Sequence, residues 1–340
     1  MGPRVVVIGG GTGLSVLLRG LKNITDELTA VVVTSDDGGG SGILREDLGM
    51  LPPGDIRSCI WALAQEEGLM QELLKYRFEE GNLEGQSFGN LLIAALYGMF
   101  GNFEKAVSEA GNILNIKGRV VPVSTDDIVL CAELENGECV KGESCIGDFV
   151  VKNNSPIKRI YLCPDGPKAT EAAEKAIREA QVIVVGPGSL YTSILPNFLI
   201  EGINNAIAHS DGRVVYVSNI MTQPGETDDY GVWEHVEEII KYTAKLDSDS
   251  RFADGFKDMA RCKSVDVVIA NNKEVSPEVL CNYKHDGARQ ILPTPKDREN
   301  LRNMGIRLVA NDFLEVKDGY IRHDAGRVAT VILSLAMAMD

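Results

Sequence analysis

No ready-made catalytic constellation stands in these 340 residues. A Gly-Lys dipeptide is missing, which excludes a Walker A loop and its phosphate-gripping lysine. There is no HExxH pair, and His209, His235, His285 and His323 are isolated singletons, read as core or surface side chains. No Tyr-x-x-x-Lys pair occurs, and neither Ser189 nor Ser193 lies in GxSxG, which removes the commonest dehydrogenase and hydrolase signatures. Cysteine is spread thinly, as Cys59, Cys131, Cys139, Cys145, Cys163, Cys262 and Cys281, without a CxxC. That pattern suits reduced thiols acting mainly as small packing residues. Positive charge is also scarce: 34 Lys+Arg face 49 Asp+Glu, a net charge of −15. Such a field disfavours nucleic acid and anionic lipid as partners. No apolar run approaches the ~20 residues of a membrane span. The first ten residues read as a strand entering a glycine turn instead of a signal peptide, so the expected location is the cytoplasm.

What is present is an α/β pattern. Val5-Val6-Val7-Ile8 is a continuous β-branched run that stops at glycine, the signature of a strand buried on both faces. Leu14, Leu17, Leu18 and Leu21 then follow at helical spacing, and a second apolar run covers 28–33. This opening βαβ unit predicts a doubly wound α/β domain with a mostly parallel sheet. The alternation returns at 160–162, 182–185, 214–217 and 265–269. Between the halves, 55–65, 69–78, 90–100 and 103–114 read as helices, an inserted layer over about 55–115. Short strands are expected at 120–123, 128–134 and 139–141, with Asn136-Gly137 as a hairpin turn. Without a long linker or repeat, 1–340 reads as one elaborated domain. The stripe Val236, Ile239 and Ile240 on the 233–242 helix is assigned to sheet packing in preference to an interface.

Five stretches carry chemistry. Gly9-Gly10-Gly11-Thr12-Gly13-Leu14 links strand one to a helix, where free N–H groups and the helix dipole attract phosphate. Its glycine spacing departs from GxGxxG at Leu14. Thr34-Ser35-Asp36-Asp37-Gly38-Gly39-Gly40-Ser41-Gly42 reads as a loop whose carboxylates suit a hard cation. In Leu51-Pro52-Pro53-Gly54-Asp55-Ile56-Arg57, Asp55 either opens a helix or completes a Mg²⁺ site with Asp36 or Asp37. Gly186-Pro187-Gly188-Ser189-Leu190-Tyr191-Thr192-Ser193 offers hydroxyls and backbone donors at another strand's carboxyl end. Asn219-Ile220-Met221-Thr222-Gln223-Pro224-Gly225-Glu226-Thr227 is a polar loop suited to reading a base or sugar.

Together and in this order, these stretches resemble the YvcK branch of the CofD-like proteins, over nearly the whole chain. The resemblance implies a Rossmann-like bacterial cytoplasmic factor, needed for growth on gluconeogenic carbon and for cell shape. It also implies binding of a UDP-sugar such as UDP-N-acetylglucosamine, with no established reaction. The expected nucleotide contacts are Gly9, Gly10, Gly11, Thr12, Gly13, Leu14, Gly186, Pro187, Gly188, Ser189, Tyr191, Thr192, Asn219, Met221, Thr222 and Gln223. To these the resemblance adds Tyr283, which would stack on uracil, and Arg322, which would fork onto the diphosphate. The sister CofD branch transfers a phospholactyl group with a divalent metal on aspartates. That role, with Mg²⁺, would fall on Asp37 and Asp55, with Asp36 beside them. The family's usual Ser, His and Asn are here Gly40, Gln86 and Ser58, changes that favour binding over catalysis. Two other readings stand beside the leading one: a Mg²⁺-dependent phospho-group transferase, and an NAD(P)-binding oxidoreductase suggested by the first βαβ unit. A homo-oligomer is expected.

Overall fold

A computed structural model describes residues 2–65, 68–243, 264–284 and 287–338; Cys262 and His285 lie outside them. The strands are β1 (Val5–Gly9), β2 (Leu28–Val32), β3 (Arg119–Pro122), β4 (Val129–Leu134), β5 (Cys139–Lys141) and β6 (Ile157–Cys163). They continue with β7 (Val182–Val185), β8 (Arg213–Val217), β9 (Val267–Asn271), β10 (Arg307–Asn311), β11 (Leu314–Lys317) and β12 (Tyr320–His323). Seven of them form one sheet in the order β10-β9-β8-β7-β1-β2-β3, parallel at each pairing. The doubly wound α/β expectation therefore holds.

The apolar runs are continuous because each strand feeds two cores. In β1, Val5 and Val7 enter one buried cluster while Val6 and Ile8 enter the other. In β7, Val182 and Val184 divide from Ile183 and Val185 in the same way. Full burial of each such side chain contributes roughly 1.5–3 kcal/mol, so β1 alone is a strong anchor. One face is covered by α1 (Gly11–Leu21) and by the layer α2 (Gly39–Leu48), α3 (Gly54–Leu63), α4 (Leu69–Lys75), α5 (Phe88–Phe100) and α6 (Phe103–Ile113). The other receives α7 (Glu143–Asn153), α8 (Glu171–Glu179), α9 (Leu195–Phe198), α10 (Ile203–Ala208) and α11 (Val232–Thr243). The stripe on α11 is core, as expected: Val236, Ile239 and Ile240 are buried there. The chain closes with α12 (Pro277–Lys284), α13 (Pro295–Asn303) and α14 (Ala325–Met337), the last packed on α1. Among the described residues no helix is long and apolar enough to cross a membrane.

Four expectations need correction. The 120–123 strand is the edge of the main sheet, not part of the hairpin elaboration. Conversely β6 is not a strand of the parallel sheet but the antiparallel partner of β4, in a small sheet ordered β5-β4-β6. Its alternating burial, one face in and one out, is what an antiparallel sheet with one covered face produces. The glycine stretch after Asp37 is not a loop: α2 starts at Gly39 and stops at Gly49, whose φ of 60° satisfies the left-handed cap. Gly42 is required inside it, because a Cβ there would lie 2.3 Å from the carbonyl oxygen of Asp37. Lastly, Cys59 and Cys131 pack as small buried residues, but Cys139, Cys145 and Cys281 are exposed. The Asn136-Gly137 turn forms as predicted, with Gly137 at φ 86°.

Candidate functional site

The strand order reverses between β1 and β7, and the crevice outside their carboxyl ends is where open α/β sheets bind ligands. The loops that follow these two strands touch through backbone. A Cβ on Gly13 would lie 2.7 Å from the carbonyl oxygen of Pro187, and one on Gly188 would lie 3.3 Å from that of Gly10. These glycines thus let two loops meet as closely as main chains can. Gly11, at φ 70°, also needs the conformational freedom of glycine. Gly10 gives α1 no N-cap side chain and the Asp55 carboxyl takes the Gly11 N–H, so the other first-turn N–H groups and the helix dipole are what the crevice offers an anion. Thr12 is exposed at that turn and Gly13 is half-buried.

Asn219, at the end of β8, braces the second loop. Its Nδ2 donates to the carbonyl of Gly188 at 2.8 Å, and its Oδ1 accepts the Gly188 N–H at 3.3 Å. Its amide is therefore engaged in supporting the loop. Gln223 is likewise engaged, donating to Glu226 Oε1 at 2.5 Å. Thr222 is bonded through its backbone and hydroxyl to Arg289. Tyr191 is 1% exposed, and its hydroxyl lies 2.6 Å from that of Tyr230, so it is a core residue rather than a ligand contact. Leu14 is fully buried among the helices on the sheet, which leaves only its backbone to serve a ligand. Thr192 hydrogen-bonds Glu226 at 3.3 Å.

Beside the crevice the fold gathers carboxylates. Asp55 accepts the Gly11 N–H; burial first, and the charge of Asp36 second, raise its pKa from 3.8 to about 6. Asp36 Oδ1 accepts the Gly38 N–H at 2.9 Å, and Asp37 Oδ1 accepts the Ser144 N–H at 2.9 Å, which tethers the start of α7. Glu143, the first residue of α7, is pushed up to about 8 by burial and then by Asp36, Asp55, Glu226 and Asp37. Glu226 rises to about 7 through burial, opposed by hydrogen bonds from Tyr191, Thr192 and Gln223. Carboxylates are the donor type for a hard cation. Yet Asp36, Asp37 and Asp55 are each committed to a backbone N–H, and among the described residues no group of three acids, histidines or cysteines is arranged to hold a metal. As it stands the cluster is not a preassembled metal centre. A cleft of about 490 Å³ opens next to Glu226, between the end of α7 and residues 225–230. Hollows of about 280 and 540 Å³ lie at the sheet's other end, around Arg119.

The family model described as 2-phospho-L-lactate transferase CofD matches residues 5–314. The chain belongs to the CofD family. A "Putative gluconeogenesis factor" of Thermoanaerobacterium thermosulfurigenes is 47% identical over 334 residues, covering 98% of this chain and 97% of that one. The "Gluconeogenesis factor" of Bacillus subtilis strain 168 is 39% identical, with 98% of each chain covered. Protein BH3568 of Bacillus halodurans, solved by crystallography, superposes with a TM-score of 0.88 at 40% identity, covering 98% of this chain and all of that one.

In this CofD-family chain the remaining predicted residues lie on or around β12, which packs beside α1. His323 Nε2 lies 3.1 Å from the carbonyl of Ser218, next to the Asn219 brace, which places β12 beside the β8 loop. Tyr283 accepts the Ile321 N–H at 2.7 Å through its hydroxyl and packs with Met221 around Ile220, Val275 and Ile321. Arg322 spends one N–H on the Ile321 carbonyl, and its guanidinium lies 5.5 Å from the Tyr320 ring centre. Met221 and Tyr283, distant in sequence, therefore share one small cluster, whereas Arg322 lies on the opposite face of β12 from Ile321, against Tyr320. Glu143 and Glu226 were not among the predicted site residues. The motif containing Glu226 was visible, but its partners in the Tyr191 loop were not. Glu143 gave no signal beyond standing after a glycine, since its neighbours come from three other segments.

Proposed function

We propose that this CofD-family chain is a cytoplasmic regulatory factor of the gluconeogenesis-factor type that binds a uridine-diphosphate sugar of the UDP-N-acetylglucosamine kind. Its role would be to support cell shape and growth on gluconeogenic carbon. One observation carries the reading: the start of α1, which lacks an N-cap side chain of its own, meets the β7 glycine loop at the topological switch point. A protein of net charge −15 does not attract a diphosphate by its overall field. The attraction has to be local, from α1 N–H groups, residues 186–189 and Arg322, with Tyr283 supplying a ring for the base. The names of the relatives support the gluconeogenic part of the proposal. Isothermal titration with UDP-N-acetylglucosamine, with and without Mg²⁺, tests it. One-to-one binding that Arg322→Ala weakens at least about tenfold, a loss of about 1.4 kcal/mol, is expected. No heat from the wild-type chain under either condition overturns the reading.

A second reading, a phospho-group transferase, is favoured by the carboxyl cluster, because Glu143 and Glu226 titrate near neutrality, as proton-transferring groups do. Turnover of a nucleotide-activated donor that is lost in Glu143→Gln would establish it. Binding without turnover in the presence of Mg²⁺ counts against it. Family membership displaces the nicotinamide reading.

A further inference from the structure

The small antiparallel sheet presents one face to the core and one outward. Leu130, Ala132, Ile160 and Leu162 point inward and are buried. By alternation, Val129, Cys131, Tyr161 and Cys163 share the outer face, with Cys131 opposite Tyr161 and Val129 opposite Cys163. Cys131 and Cys163 are thus diagonal neighbours on adjacent strands, and their Sγ atoms lie 3.7 Å apart. Diagonal neighbours stand about 7–8 Å apart at Cα, so closing the bridge requires the end of β6 to draw towards β4 as the sulfurs, already 3.7 Å apart, come together. The two thiols also differ. Cys131 is buried, whereas Cys163 is partly exposed at the strand end. Burial, then contact with Cys163, pushes the Cys131 thiol up to about 11, which keeps it protonated and unreactive towards solvent oxidants. The third thiol on this sheet, Cys139, is exposed and hydrogen-bonded with Tyr161.

We propose that Cys131 and Cys163 are a reversible oxidative modification site, in which hydrogen peroxide or an alkyl hydroperoxide closes them into an intrachain disulfide. The accessible Cys163 sulfur attacks the peroxide O–O bond, giving a sulfenic acid and releasing water or alcohol. The Cys131 sulfur then forms the S–S bond at Cys163, and the displaced hydroxide leaves as water with the Cys131 proton. The thiols lose two electrons and two protons, and the peroxide is reduced. A dithiol reductant restores both thiols.

The test treats the full chain with a modest excess of hydrogen peroxide, blocks free thiols, and maps peptides without reduction. The expected result is a mass loss of about 2 Da before blocking and a linked peptide pair containing Cys131 and Cys163, both reversed by dithiothreitol. Cys131→Ser should instead leave Cys163 as a sulfenic acid that dimedone captures. Cys163→Ser should give neither the link nor a label at Cys131. Persistence of free Cys131 and Cys163 in the wild-type chain while Cys139 oxidises overturns the proposal. So does a link joining Cys139 to either of them. The wild-type map decides the matter even if a serine variant folds poorly.

Discussion

Replacing Asp55 by asparagine isolates the electrostatic cost of building the crevice. The carboxyl titrates near 3.8 when unfolded and at about 6 in the folded chain, with burial as the main cause and Asp36 as the second. That difference, at about 1.4 kcal/mol per pKa unit, corresponds to about 3 kcal/mol. The sign follows from a raised acid. Below about pH 4 both states hold the proton and Asp55 costs nothing. As pH rises through the folded value the stabilisation from the bound proton is lost, and above it the fold carries a buried charge. Asparagine keeps an oxygen for the Gly11 N–H and never ionises. Asp55→Asn should therefore match the wild type near pH 4 and exceed it by up to about 3 kcal/mol near pH 8, measured by denaturant unfolding at both values. The same change should lower the pKa of Glu143, which feels the Asp55 charge, in a titration followed by NMR. A stability difference that does not vary with pH, or a variant weaker than wild type near pH 8, refutes the reasoning.

Three further substitutions probe the loops. Gly13→Ala sets a methyl group against the backbone oxygen of Pro187, which no rotamer relieves, and should cost about 1–3 kcal/mol in thermal or denaturant unfolding; wild-type stability would show that the loops separate freely. Asn219→Ala removes both hydrogen bonds to Gly188 and should weaken UDP-sugar binding about tenfold by titration calorimetry, while an unchanged affinity would remove the brace from the binding account. Tyr191→Phe should leave affinity within about twofold and lower stability by about 1 kcal/mol, because only the bond to Tyr230 is lost; a large affinity loss would return Tyr191 to the site.

The fold was legible where one strand or helix decides its own surroundings. Val5-Val6-Val7-Ile8 announces a twice-buried strand because both faces demand apolar side chains. The switch-point loops were legible too, since glycine after a buried strand is a local signal. What stayed hidden depends on contacts between distant segments. The helix from Gly39 to Leu48 looked like a loop because its glycines have poor helix propensity, and only the packing of Gly42 on Asp37 explains them. The helix from Glu143 shows little periodicity, as only Ile146 and Val150 are buried. Asn219, Thr222 and Gln223 were expected to meet a ligand since polar side chains in a loop look free from sequence; the fold spends them on its own backbone and on Glu226. Glu143 is a product of convergence, and nothing local marks it.

The contact of Gly13 with Pro187 joins positions about half the chain apart. A chain emerging from the ribosome completes β1, α1, β2 and β3 well before β7 exists, so the two loops cannot meet until synthesis has passed the middle of the chain. A nucleotide can favour the finished fold by mass action, but it has nothing to hold on an incomplete one. Occupancy of the crevice would then report that synthesis and folding of both halves are complete, and an interrupted chain would stay silent to the ligand.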